Sequence, residues 1–85
     1  MKVFMPHALQ SYTDCELVEA DGETLNDLLL DLDRQFPGIR FRMVNEQDEI
    51  RPHIAFFVDG KKNNNLEASL AGRPEVVIMQ ALSGG

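Results

Sequence analysis

The clearest pattern along the chain is a set of apolar positions at the spacing of one helical face, namely Leu25, Leu28, Leu29, Leu32 and Phe36. Thr24 precedes this set as a good N-cap residue, and Asp27 follows three residues later as in a variant of the capping box. A Pro-Gly pair after the last apolar position ends the pattern. We therefore predict an amphipathic helix over residues 25–36 that needs a sheet to cover, with Leu30 off the apolar stripe and exposed.

Short stretches of apolar residues on either side of this helix indicate β-strands. The predicted strands are Lys2–Met5, Cys15–Ala20, Ile54–Val58, a short return strand beginning at Lys61-Lys62, and Glu75–Gln80. Asp21-Gly22 has the turn chemistry that ends a strand, and Asp59-Gly60 is a strong two-residue hairpin signal. Because the first strand carries apolar groups on both faces, we expect it near the middle of a sheet.

The remaining segments have weaker signals. His7–Asp14 is polar and is expected as a turn, and Asn63–Asn65 is expected as a turn or loop. Within residues 39–52, the apolar residues of Phe41–Val44 are compatible with a short strand or with an irregular element. Asn45–Glu49 is expected as a solvated acidic loop, and Leu66–Leu70 as a short helical turn or bend.

The predicted order of strand, strand, helix, strand, short return strand and strand is that of the β-grasp fold. We predict an α+β, ubiquitin-like architecture in which a mixed sheet of four to five strands packs on one main helix. Residues 1–80 are expected to form the single domain, and residues 81–85 a flexible C-terminal tail. One helix covers only one face of a sheet, so apolar residues on the other face need loops or another protein to cover them. Phe57, Val77 and Met79 are the candidates for such a partner-binding face.

Composition and charge narrow the functional classes. A chain of 85 residues forms one small domain with little room for a deep active site. Its net charge of -6 disfavours nucleic acid as a partner and favours steering toward a basic protein surface. No apolar run approaches the roughly 20 residues of a membrane helix. The first residues are too short for a signal peptide, so we expect a cytoplasmic protein with no membrane partner.

No set of side chains offers convincing catalytic or metal-binding chemistry. Cys15, the single cysteine, lies in a predicted strand and is expected to be buried and structural. His7 and His53 are far apart and lack the spacing of a metal site, so no metal ligand is assigned. Other charged candidates are expected at the surface: Asp27, Asp31 and Asp33 on the helix, and Arg73 before the last strand. We therefore predict that the protein is not an enzyme by itself.

The chain ends in Gly84-Gly85 shortly after the final predicted strand. Three features together resemble the MoaD/ThiS family of ubiquitin-like sulfur carriers: the helix followed by Pro37-Gly38, the strand ending in Val58-Asp59-Gly60, and the last ten residues. The stretch Arg51–Gly60 also resembles the branch of that family that includes the mycobacterial cysteine-biosynthesis sulfur carrier. The resemblance covers nearly the whole chain in element order but only scattered residues.

The resemblance implies that Gly85 is the functional residue. In this family an E1-like adenylating enzyme uses ATP to adenylate the terminal glycine carboxylate, which is then converted to a thiocarboxylate. The ATP belongs to that partner, so no bound cofactor is expected. A sulfur donor such as a sulfurtransferase and a sulfur-accepting biosynthetic enzyme are the other implied partners. Gly84, Ser83 and Leu82 would thread the partner's narrow channel, which suits residues without bulky side chains near the end.

Three functions stay open at this stage. The first is a sulfur carrier for cofactor, amino-acid or other thio-metabolite biosynthesis. The second is a ubiquitin-like protein modifier that is conjugated through Gly85. The third is a non-catalytic interaction module that uses its sheet face and has an inert tail. Many family tails carry a proline after the last strand, where this chain has Gln80-Ala81-Leu82, and this departure weakens assignment to the molybdopterin branch.

Overall fold

The computed structural model describes residues 1–81, so the expectations for Leu82, Ser83, Gly84 and Gly85 lie outside the described residues. In chain order the elements are β1 (Lys2–Phe4), a 3₁₀ turn (His7–Leu9), α1 (Gln10–Thr13), β2 (Leu17–Glu19), α2 (Leu25–Gln35), a second 3₁₀ turn (Arg40–Arg42), β3 (Ile54–Val58), β4 (Lys61–Lys62) and β5 (Val76–Gln80). The strands form a five-stranded sheet in the order β2-β1-β5-β3-β4.

The strand pairing confirms the predicted β-grasp architecture. β1 pairs antiparallel with β2 and parallel with β5, and β5 pairs antiparallel with β3. β3 in turn pairs antiparallel with β4. β1 therefore lies between two strands, as its two apolar faces predicted. A parallel pair needs a crossover connection, and α2 lies within the long connection from β1 to β5.

Helix α2 packs on one face of this sheet, which we call the inner face. Thr24 Oγ1 accepts a hydrogen bond from the Asp27 backbone N–H at 3.2 Å and so caps the first turn. The helix ends at Gln35, one residue before the predicted end, and Phe36 follows as the C-cap. The side chains that form the core between helix and sheet are buried: Leu25, Leu28, Leu29, Leu32, Val3, Phe56, Val76 and Ile78. Leu30 lies off this stripe and is 49% exposed, as predicted.

Gly22 marks a close approach between the segment after β2 and the first turns of α2. A Cβ atom at this position would lie 2.4 Å from the Leu28 backbone nitrogen and 2.8 Å from the Asp27 carbonyl carbon. Both contacts are to backbone atoms of the helix, which cannot rotate away as a side chain would. Glycine is therefore required here by space, in addition to its turn chemistry.

Carboxylates on α2 fasten the helix to the loops around it. Asp31 accepts a hydrogen bond from the Asp21 backbone N–H at 3.0 Å and also pairs with Arg34. The backbone hydrogen bond and then the Arg34 guanidinium hold the pKa of Asp31 below its usual range. Asp33 accepts hydrogen bonds from the backbone N–H groups of Gly38 and Arg40 at 3.1 and 3.2 Å. Both aspartates therefore hold the loops on either side of α2 through backbone hydrogen bonds.

Two predictions for the segment between β1 and β2 are wrong. His7–Asp14 is a 3₁₀ turn followed by α1, and it places Leu9 in the core at 2% exposure. Asp14 then takes a left-handed backbone with φ 58°, which ends the helical turn and delays β2 until Leu17. Cys15 consequently lies in this turn, where its side chain is exposed rather than buried in a strand.

The segment between α2 and β3 takes the irregular form that was one of its two predicted alternatives. Ile39, Met43 and Val44 are buried, while Phe41 between them is 52% exposed. A single antiparallel bridge joins Val44 to Ile50 across the acidic loop. The segment thus contributes to the core without adding a strand to the sheet.

The hairpin from β3 to β4 forms as predicted. Asp59 and Gly60 both have positive φ, 49° and 84°, as a two-residue turn of this type requires. Beyond the two residues of β4, the Asn64 side chain makes the hydrogen bonds to β3 that a neighbouring strand's backbone would make. Its Oδ1 accepts from the Phe56 N–H at 2.8 Å, and its Nδ2 donates to the Ile54 carbonyl at 2.9 Å. Asn64 therefore protects the exposed edge of β3.

Candidate functional site

The point at which the chain leaves the sheet lies at the end of β5. Gln80 is the last residue of β5 and is paired with Ile54 of β3. The Ala81 backbone N–H then donates to the His53 carbonyl at 2.8 Å, which continues the pairing by one step. We call this place, defined by His53, Gln80 and Ala81, the tail exit. Residues 82–85, including Gly84-Gly85, follow it in the sequence.

The face of the sheet opposite α2, which we call the outer face, carries a row of side chains that crosses all five strands. Strand register aligns them in the order Leu17, Phe4, Val77, Phe57 and Lys62. Four of the five are apolar, and the lysine ends the row at the short edge strand. Phe4, Val77 and Phe57 are half-buried, and Leu17 is 43% exposed.

A second apolar pair on the outer face lies next to the tail exit. Met79 is paired with Ala55 and is 52% exposed, two residues along β5 from Val77. The structure therefore brings Phe57, Val77 and Met79 together on one face, as their alternation along the strands predicted. A shallow groove connects Met79 and Phe57 to His53, Gln80 and Ala81. The outer face and the tail exit are thus continuous.

Sequence reasoning missed Phe4 and Leu17 as members of this face. Alternation along β1 places Phe4 on the face opposite Val3, but its alignment with Val77 depends on the parallel pairing of β1 and β5. Leu17 alternates with the buried Val18, and this alternation is the signal that could have identified it.

The other candidate residues do not form a reactive centre. His7 lies in the first 3₁₀ turn and His53 in the turn before β3, and among residues 1–81 no group of three or more potential metal ligands comes together. Arg73 pairs with Asp21 at 2.7 Å within the chain itself. A hydrogen bond from the N-terminal ammonium, with the Arg73 guanidinium, holds the pKa of Asp21 below its usual range. Within the described residues, no helix is long and apolar enough to cross a membrane.

Comparison with protein families gives one match that extends over most of the chain. The model of the ThiS family matches residues 6–85, which includes every strand of the sheet except β1, the tail exit and the Gly84-Gly85 ending. Among curated proteins, none matches the chain significantly.

Several solved structures share the fold over nearly their whole length. A chain of the BexX/CysO complex from Amycolatopsis orientalis has 27% identity and a TM-score of 0.88, with 99% of this chain and 98% of that chain covered. CysO from Mycobacterium tuberculosis, an antigen, has 23% identity and a TM-score of 0.87, with 95% and 98% covered. SAMP1 from Haloferax volcanii, a small archaeal modifier protein, has 24% identity and a TM-score of 0.80, with 100% and 98% covered.

Proposed function

The chain belongs to the ThiS family of ubiquitin-like carriers and modifiers, and from this premise we propose that it carries sulfur as a thiocarboxylate at Gly85. The observation that carries the proposal is the extent of the family match, which runs through residue 85 and so includes the Gly84-Gly85 ending.

The chemistry needs a carboxylate that a partner can activate. In the first step a Gly85 carboxylate oxygen attacks the α-phosphorus of ATP, and pyrophosphate leaves. The product is an acyl-adenylate, whose AMP group is a good leaving group. In the second step a sulfur nucleophile attacks the carbonyl carbon, and AMP leaves. Sulfide gives the thiocarboxylate directly, whereas a protein persulfide gives an acyl disulfide that a thiol reductant then cleaves.

The geometry of the tail exit suits a reaction inside a partner. Five residues from Ala81 to Gly85 would span on the order of 16 Å when extended, so the carboxylate would reach a recessed site while the domain stays outside. Gly84 and Gly85 have no Cβ, which lets the backbone enter a narrow channel. Ser83 is small, and Leu82 is the first of the threaded residues. The activating partner supplies the ATP site.

The outer face is the docking surface for the activating partner in this proposal. Its apolar row continues to the tail exit, so a protein that covers Phe57, Val77 and Met79 is also placed to receive the tail. Partly exposed apolar groups on a sheet face add to binding when a partner covers them, because folding leaves part of their surface in water.

Substitution of Met79 by aspartate is expected to weaken binding of the adenylating enzyme by roughly tenfold or more, because it puts a charge into an apolar contact. The matched control is Leu30→Asp, which makes the same change at 49% exposure on the helix side of the molecule. Titration calorimetry with the adenylating enzyme from the same organism compares the two. Equal affinities for both variants would contradict the proposal that the outer face binds the adenylating enzyme.

The decisive experiment is the intact mass of the protein purified from its native host. A fraction in which one oxygen at the C-terminus is exchanged for sulfur supports the sulfur carrier. A series of higher-mass conjugates linked through Gly85 instead supports a protein modifier, the function that the name of SAMP1 gives for that protein. An unchanged mass, in cells that grow under sulfur-requiring conditions, contradicts both and leaves an interaction module.

A further inference from the structure

A cleft of about 280 Å³ lies beside the tail exit, on the side away from the outer face. Its polar and aromatic lining comes from the second 3₁₀ turn, the approach to β3 and the end of β5, namely Phe41, Arg42, Arg51, His53 and Gln80. We call it the basic cleft. Its walls contain no acidic residue, although the chain has 14 acidic and only 8 basic residues.

The salt bridges of the five arginines distinguish the basic cleft from the rest of the surface. Arg34, Arg40 and Arg73 each form a salt bridge with a carboxylate of the same chain. Arg42 and Arg51 form no salt bridge within residues 1–81, and both line the basic cleft. The two guanidinium groups without a salt bridge in the described part of this acidic chain therefore lie in the same cleft, next to the start of the tail.

The cleft is also held in shape. Arg51 Nε donates to the Phe41 carbonyl at 2.8 Å, and its guanidinium lies 4.7 Å from the centroid of the Phe41 ring. Both contacts fix the guanidinium plane before any partner arrives, which lowers the entropy lost on binding. Gln80 also lines the cleft, and its Oε1 is buried and accepts no hydrogen bond from the described residues. A buried acceptor of this kind needs a donor from outside.

We infer that the basic cleft receives an acidic segment of the activating partner, at the mouth of the channel into which the tail passes. This inference rests on the proposed function. Guanidinium groups bind carboxylates through paired hydrogen bonds, so Arg42 and Arg51 select an aspartate or glutamate. A backbone N–H of the same segment donates to Gln80 Oε1. The cleft and the shallow groove on the outer face both border the tail exit and share His53 and Gln80, so one partner surface covers both.

The position of the cleft favours protein carboxylates over the phosphates of ATP. A fully extended tail would place Gly85 on the order of 16 Å from Ala81, and the reacting phosphate would lie at that far end. The net charge of -6 disfavours a nucleic acid as the anion, because the protein as a whole repels a chain of phosphates. The ion pairs at the cleft therefore orient the tail and speed association, while the chemistry occurs at the other end.

The test compares Arg42→Glu with Lys61→Glu in binding to the adenylating enzyme from the same organism, at low and at high salt. Both variants change the net charge equally, and Lys61 is exposed in β4, away from the cleft. Arg42→Glu is expected to lower the affinity by about tenfold at low salt and by less at high salt. Lys61→Glu is expected to change it by less than about twofold.

Equal losses in the two variants would overturn the inference, because they would show only the effect of net charge. Arg42→Lys adds a second measure, since it keeps the charge but loses the paired hydrogen bonds, and an intermediate affinity is expected. Wild-type affinity in Arg42→Lys would contradict recognition of a carboxylate by the guanidinium fork. Failure of the wild-type protein to bind at all would instead contradict the proposed function, so the two failures are distinguishable.

Discussion

Deletion of Gly85 is expected to abolish thiocarboxylate formation. The shortened chain still ends in a carboxylate, that of Gly84, but this group falls short of the activating site by about 3.5 Å. A displacement of about 1 Å from the reactive geometry already lowers the rate on the order of 100-fold. The loss of one residue's length is therefore expected to make the reaction too slow to detect. Intact mass of the variant, after incubation with the adenylating enzyme, ATP and a sulfur donor, measures the outcome.

Two variants in the tail serve as controls for this deletion. Ser83→Ala keeps the length and a small side chain, and it is expected to leave the yield of thiocarboxylate unchanged. Gly84→Ala keeps the length but adds a Cβ next to the terminal residue, which is expected to slow adenylation by roughly tenfold to a hundredfold. Full sulfur loading of the Gly85 deletion variant would show that the position of the terminal carboxylate does not control the reaction.

The parts of the fold that the sequence predicts are those set by local periodicity. The leucines of α2 recur at helical spacing, and the Asp59-Gly60 turn needs two positive φ values that these residues adopt readily. The segment His7–Asp14 has no such signal, because its helical turns are too short to show a period and Leu9 is its one buried apolar residue. The error at Cys15 has the same origin, since the late start of β2 depends on the left-handed Asp14.

The candidate site also has a part that local sequence patterns predict and a part that depends on the folded structure. Phe57, Val77 and Met79 could be placed on one face because alternation along a strand is a local property. The addition of Phe4 required the parallel pairing of β1 with β5, which joins residues more than 70 positions apart. The basic cleft could not be predicted, because it depends on which arginines find a carboxylate in three dimensions. Only the folded chain distinguishes Arg42 and Arg51 from the other three.

Gly22→Ala is expected to destabilise the domain by about 3 kcal/mol or more, the upper range for an inserted group that has no room. The new Cβ would lie 2.4 Å from the Leu28 nitrogen, so the loop after β2 and helix α2 must move apart. That movement opens the core at Leu25 and Leu28, which are fully buried. A domain of this size has little stability to lose, and partial unfolding at 37 °C is expected. Urea denaturation followed by circular dichroism measures the change.

Gly72→Ala is the matched control for Gly22→Ala. Gly72 has open space around its Cα but a φ of 84°, so alanine there adds backbone strain of about 1 kcal/mol without a steric clash. A loss for Gly22→Ala no larger than this would contradict the close approach at α2.

The Gly22→Ala variant and the Gly85 deletion are expected to differ in function. Gly22→Ala retains Gly85, so its sulfur loading is expected to recover on cooling to the temperature at which it folds. The Gly85 deletion is not rescued at any temperature, because its defect lies in the position of the carboxylate rather than in the stability of the domain.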